Sequence, residues 1–221
     1  MPMDERTKET VRTLLARHPS GYATAEVGFT VTGSATGLFR LLCFAILADR
    51  ATPSEAAVRA TRALLDRGWD AAPAIRETDE REREEFLRNA GHPHPEAAAR
   101  DLGGAARLVT DRYDGDLNRL RDAAHGDGGR VRALLSEIPG MDDSGLTVFL
   151  REVQLLWPEV GPFLGAHAAH AARRLGLPDD ARTLLTQVAR GEGEEEMAWL
   201  AGALALVDAR DEYRSVEAAV R

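Results

Sequence analysis

The stretch LLSEIPGMDDSGLTVFLREVQLLWPEVGPFLGAHAAHAARRLGL, from Leu134 to Leu177, constrains the fold more than any other part of the chain. Apolar residues recur at helical spacing on both sides of Pro139-Gly140, so two helices meet there at a tight turn. The second helix runs from Leu146 to Trp157. Pro158 and Gly161-Pro162 then interrupt the pattern, and a third helix ends in Arg173-Arg174-Leu175-Gly176-Leu177. Amides at a helix start point outward, and glycine lets another backbone come close, so helix, glycine turn, helix is a layout able to grip phosphate. The plainer reading of the same residues is a corner between two packed helices.

The rest of the chain is also helical in pattern. Expected helices cover Asp4 to His18, Leu38 to Asp49, Thr52 to Arg67, Asp70 to Glu77, a charged helix around Glu82 to Leu87, Glu96 to Tyr113, and Leu117 to Ala123. Further helices are expected at Val131 to Glu137, Ala181 to Arg190, Met197 to Ala209 and Tyr213 to Val220. Pro19 to Ser34 reads as an ordered connector with a short β-like patch at Val27 to Val31, and His125 to Gly129 as a flexible link. The charge run at Glu82 to Glu85 reads as a solvated face. No internal repeat and no β-sheet emerge, so the expected class is all-α.

Composition narrows the chemistry. A chain of 221 residues that is 44% hydrophobic can bury a sizeable core, and 5% aromatic content suits packed helices. The net charge of −8 opposes non-specific nucleic-acid binding, though a local basic patch can act within an acidic protein. Lys8 is the only lysine among 28 basic residues. Schiff-base chemistry needs an amine that can lose its proton, and arginine cannot supply it, so a lysine-dependent lyase is not expected. Cys43 is the only cysteine, which removes both an internal disulfide and a four-cysteine iron–sulfur cluster. No cofactor is expected. The polar N-terminus and the lack of a spanning apolar run lead to the expectation of a cytoplasmic protein without a membrane partner.

Ile138-Pro139-Gly140-Met141 at the turn, Phe149-Leu150-Arg151-Glu152-Val153-Gln154 after it, Leu164-Gly165-Ala166-His167 at the next loop and Ala172-Arg173-Arg174-Leu175-Gly176-Leu177 at the helix end occur in an order that resembles the helix-hairpin-helix DNA glycosylases. The likeness is to the endonuclease III-like members, in a branch common in actinobacteria and lacking the cluster. It implies a two-lobed all-α fold. Residues 35–150 would form a six-helix barrel-like bundle ending in the hairpin, and residues 1–34 with 151–221 a second helical lobe, with DNA crossing between them. It also implies base-excision repair on damaged or abasic double-stranded DNA.

The resemblance assigns roles residue by residue. Pro139, Gly140, Met141, Asp143, Ser144 and Gly145 would hold a DNA phosphate, Arg50 would fill the gap left by a flipped nucleotide or grip phosphate, and His167 would stand beside the active-site loop. The catalytic aspartate of such enzymes falls at Gly165, which can neither support a cationic sugar nor activate water. Glu159 and Glu152 are candidate substitutes. The second hairpin glycine falls at Asp142, and the Schiff-base lysine near Ser144. Asp142 and Asp143 also read as caps of the following helix, and both oppose phosphate.

The remaining candidates read more plainly. His167 and His170 lie three apart on one helix without an evident third ligand, so no metal site is expected. His92-Pro93-His94 could touch a DNA backbone or a metal, while Tyr22, Trp69 and Trp157 could stack a base or fill the core. Trp199 reads as core. Three functions follow: a damaged-DNA-binding repair protein with monofunctional base removal at most, a catalytically dead relative that binds a protein partner, or a helical small-molecule binder.

Overall fold

The computed structural model describes residues 5–18, 26–48, 54–188 and 193–220. Thirteen α-helices and no strand occur among these residues. They are α1 (Glu5–Arg17), α2 (Ala35–Leu47), α3 (Ser54–Arg67), α4 (Ala72–Arg76), α5 (Glu80–Asn89), α6 (Pro95–Tyr113) and α7 (Leu117–Ala123). Then come α8 (Gly128–Ser136), α9 (Asp143–Val153), α10 (Ala166–Arg174), α11 (Ala181–Val188), α12 (Gly193–Arg210) and α13 (Tyr213–Ala219), with a 3₁₀ turn at Pro158–Val160.

The chain divides into two compact units, one of residues 26–149 and one of residues 1–25 with 150–221. In the first, α6 packs against α2, α4, α5 and α7. The apolar α2 buries Leu38, Phe39, Leu41, Leu42, Cys43 and Phe44, as its nearly uninterrupted apolar sequence requires. Ser34 caps it, its hydroxyl accepting from the Gly37 amide at 3.0 Å. Burial pushes the Cys43 thiol well above its ordinary range, which leaves it inert.

In the second unit, α12 packs against α1, α10 and α11. Its buried residues include Met197, Leu200, Ala201, Leu204 and Val207, and they meet Ala168, Ala171 and Ala172 of α10 in one core. Terminal helices α1 and α13 are tied by Arg17, whose guanidinium donates to the hydroxyl and carbonyl of Ser215 at 2.6 and 2.7 Å.

Two sequence expectations need correction, and a third holds for part of its run. Glu82 and Glu85 of the charged helix are exposed, but Arg83 between them is not solvated. Arg83 is 3% exposed, and its guanidinium donates to the carbonyls of Ala99 at 2.9 Å and Thr78 at 2.6 Å. A side chain at Gly103 would occupy the same space, since a Cβ there would lie 2.2 Å from Arg83 Nη2. The supposed flexible link enters α8 directly, because Asp127 caps it and fixes the Gly129 and Arg130 amides at 2.8 and 3.1 Å. Val27 to Val31 forms no strand. Val27 is buried instead, with Arg62 Nε donating to its carbonyl at 3.2 Å.

Candidate functional site

The turn between α8 and α9 is built on glycine. Gly140 has φ +81°, and a Cβ there would lie 2.8 Å from Ile46 Cγ2 and 2.9 Å from Asp101 Cβ. Pro139 lies against Gly104 of α6, whose Cβ would come within 3.0 Å of the proline ring. A Cβ on Gly145 would be 3.0 Å from the Ala45 carbonyl, so α9 runs close to the backbone of α2. Met141 is buried. Packing thus accounts for both glycines and for Met141, while Ser144 is half-buried and Asp143 exposed.

Asp142 sits at the head of α9. Its carbonyl receives the Leu146 amide at 2.8 Å, and its carboxylate receives the Gly145 amide at 2.8 Å. That carboxylate therefore occupies a helix-start donor that an incoming phosphate would otherwise find free. The two arginines paired near the turn are already matched by acids: Arg112 with Glu137 at 2.6 Å and Arg100 with Asp101 at 3.6 Å. Asp142 and Asp143 add two further carboxylates at the turn.

The loop that follows α9 is held by Gln154. Its amide nitrogen donates to the carbonyls of Arg151 at 2.9 Å and Phe163 at 3.2 Å, and its amide oxygen accepts from Phe163 N at 2.9 Å. This pair of hydrogen bonds to Phe163 fixes the approach to α10. Gly165 stands at the start of α10 with φ 78° and ψ 159°, and no side chain caps the helix there. Only glycine adopts that backbone region readily. Glu152, one of the candidate substitutes, has a side chain only 9% exposed and lies 3.8 Å from Arg151 Nε. Glu159 is half-buried on the 3₁₀ turn.

The polar cluster of this unit was only half visible in the sequence. His167 Nδ1 lies 2.5 Å from Asp208 Oδ2, and His170 Nδ1 lies 2.7 Å from Asp208 Oδ1. The Tyr213 hydroxyl donates to the same Oδ1. Burial works against ionisation of Asp208, but hydrogen bonds from Tyr213, His170 and His167 outweigh it and hold the carboxyl below its usual range. Burial, with help from Asp208, pushes the Tyr213 hydroxyl up to about 12. Arg174 lies over the Tyr213 ring at 3.8 Å and pairs with Asp211 at 3.6 Å. The helical spacing of His167 and His170 was readable, whereas Asp208 and Tyr213 come from some 40 residues away. Among the described residues, no group of three His, Cys, Asp or Glu side chains could hold a metal ion.

Other candidates are placed apart from this chemistry. His92 is buried, with Nε2 3.3 Å from the Leu47 carbonyl, so it is a core residue and not a surface contact. Trp69 packs against Phe86 with ring centroids 4.8 Å apart, and Trp157 is fully buried. Trp199 is half-buried, less than its core reading implies. Lys8 pairs with Glu5 on α1. Arg50 and Tyr22 lie outside the described residues. A groove of about 740 Å³ at the far end of α10 gathers Arg6, Arg173, Arg174 and Glu217. Arg173 there pairs with Asp179 at 2.9 Å.

These elements make up an all-α, endonuclease III-like fold. A solved structure of a trapped endonuclease III–DNA covalent intermediate, an estranged-adenine complex, is similar over 94% of this chain and 86% of that one, with a TM-score of 0.57 and 14% sequence identity. No protein-family model matches the sequence, and no curated protein matches it significantly. No helix among the described residues is long and apolar enough to cross a membrane.

Proposed function

We propose that this is a DNA-binding protein of the base-excision-repair type that recognises damaged or distorted duplex on an endonuclease III-like scaffold. The observation that carries the reading is the fold similarity, over 94% of the chain, to a protein solved as a covalent complex with DNA. In this reading Pro139, Gly140, Met141, Asp143, Ser144 and Gly145 lie along the phosphate backbone, Arg50 fills the gap of a flipped nucleotide or grips phosphate, and His167 stands beside the active-site loop. Any base removal on this scaffold is monofunctional at most, because Lys8 is the only lysine and stands on α1 paired with Glu5. It does not use a carboxylate at position 165.

The test is binding of fluorescent duplexes at low salt. Duplex carrying an abasic analogue should bind more tightly than intact duplex, and rising salt should weaken both. Equal failure on both removes the reading. A second reading has its own support: the acids around the hairpin, and the Asp142 carboxylate on the Gly145 amide, oppose phosphate. It makes the protein a catalytically dead relative that binds a protein partner, with no salt-sensitive duplex binding.

A further inference from the structure

We propose that His167, oriented by Asp208, is the base that takes the proton from water when this protein removes a damaged base. The inference rests on the DNA-repair reading above and names the group that carries its chemistry. Gly165 offers no side chain, and the carboxylate of Glu152 is nearly closed off. His167 is two residues from Gly165, in the first turn of α10, with its side chain 75% exposed. Its Nδ1 is held at 2.5 Å by an ionised carboxylate that is itself largely buried. Nδ1 must therefore donate, which leaves the Nε2 lone pair as the acceptor. A carboxylate behind one imidazole nitrogen, with the other open to solvent, is the arrangement of a general base.

The step balances without any further reagent. The water oxygen bonds to C1′ of the deoxyribose as the C1′–N bond breaks, and the electron pair leaves with the base. One water proton passes to Nε2 of His167. A base already carrying a positive charge leaves neutral, and any other base takes a proton from solvent. Asp208 steadies the imidazolium that forms. The groups that face this pair are His170 on α10, Asp208 on α12 and Tyr213 on α13. Arg174 and Asp211 stand behind Tyr213.

The experiment is single-turnover base release from duplexes carrying alkylated, oxidised or deaminated bases, with abasic-duplex binding measured in parallel. Wild-type protein should release at least one of these bases, at a rate that falls as pH drops. H167A should slow release by about 100-fold, flatten that pH profile, and recover activity when free imidazole is added. A melting curve of H167A, which keeps the His170 and Tyr213 hydrogen bonds to Asp208, checks directly for a folding defect. D208N should slow release as well, because it no longer fixes the tautomer. Three results overturn the assignment. H167A is as active as wild type, or E159Q abolishes release while H167A does not, or abasic duplex is bound and no base is released. The third leaves the DNA reading standing, whereas failure to bind either duplex removes both.

Discussion

At position 165 the backbone itself requires glycine. The φ of 78° with ψ of 159° lies where a Cβ meets its own peptide, at a cost of about 1–3 kcal/mol. G165D and G165A should both be less stable than wild type by about that amount in chemical denaturation. A loss for Asp matched by Ala would place the effect in the backbone, and an undiminished stability in both would refute it. G165D is therefore no simple restoration of an acid. Asp142 makes the opposite case, a side chain with two consequences. D142A should cost about 1 kcal/mol through loss of the α9 cap. D142N keeps the cap, removes the charge, and should bind duplex more tightly at unchanged stability. Weaker binding by D142N would show that the acid does not oppose phosphate.

Among the elements, the helices were legible because apolar periodicity and caps are local. Asp79 caps its helix by receiving the Glu82 amide at 2.7 Å, and α3 ends at Gly68, which has φ +82°. Long-range contacts were not legible. Nothing in the run Glu-Arg-Glu-Arg-Glu-Glu distinguishes Arg83 from its exposed neighbours. Its burial depends on carbonyls of Thr78 and Ala99 and on the missing side chain of Gly103. R83A should cost about 3 kcal/mol, since it leaves buried acceptors unpaired and a void beside α6. Thermal denaturation checks this, and a loss under about 1 kcal/mol would contradict the buried role. The candidate site divides the same way. The Pro139-Gly140 turn and the His167, His170 spacing are local, so the sequence showed them. Asp208, Tyr213 and the Gln154 clamp on Phe163 depend on tertiary placement.

For the whole molecule, the similarity to endonuclease III establishes a scaffold and leaves its surface chemistry to this chain's own residues. Under the DNA-binding proposal, a net charge of −8 and the carboxylates at the hairpin predict modest, salt-sensitive affinity rather than tight non-specific binding. The central proposal is that this chain binds duplex, with residues 139–145 and the start of α10 each contacting it. Amide hydrogen exchange with saturating abasic duplex tests it most directly. Protection should rise at residues 138–146 and 163–170 and weaken with added salt. Unchanged exchange in both segments, with protection confined elsewhere or absent, would contradict the account.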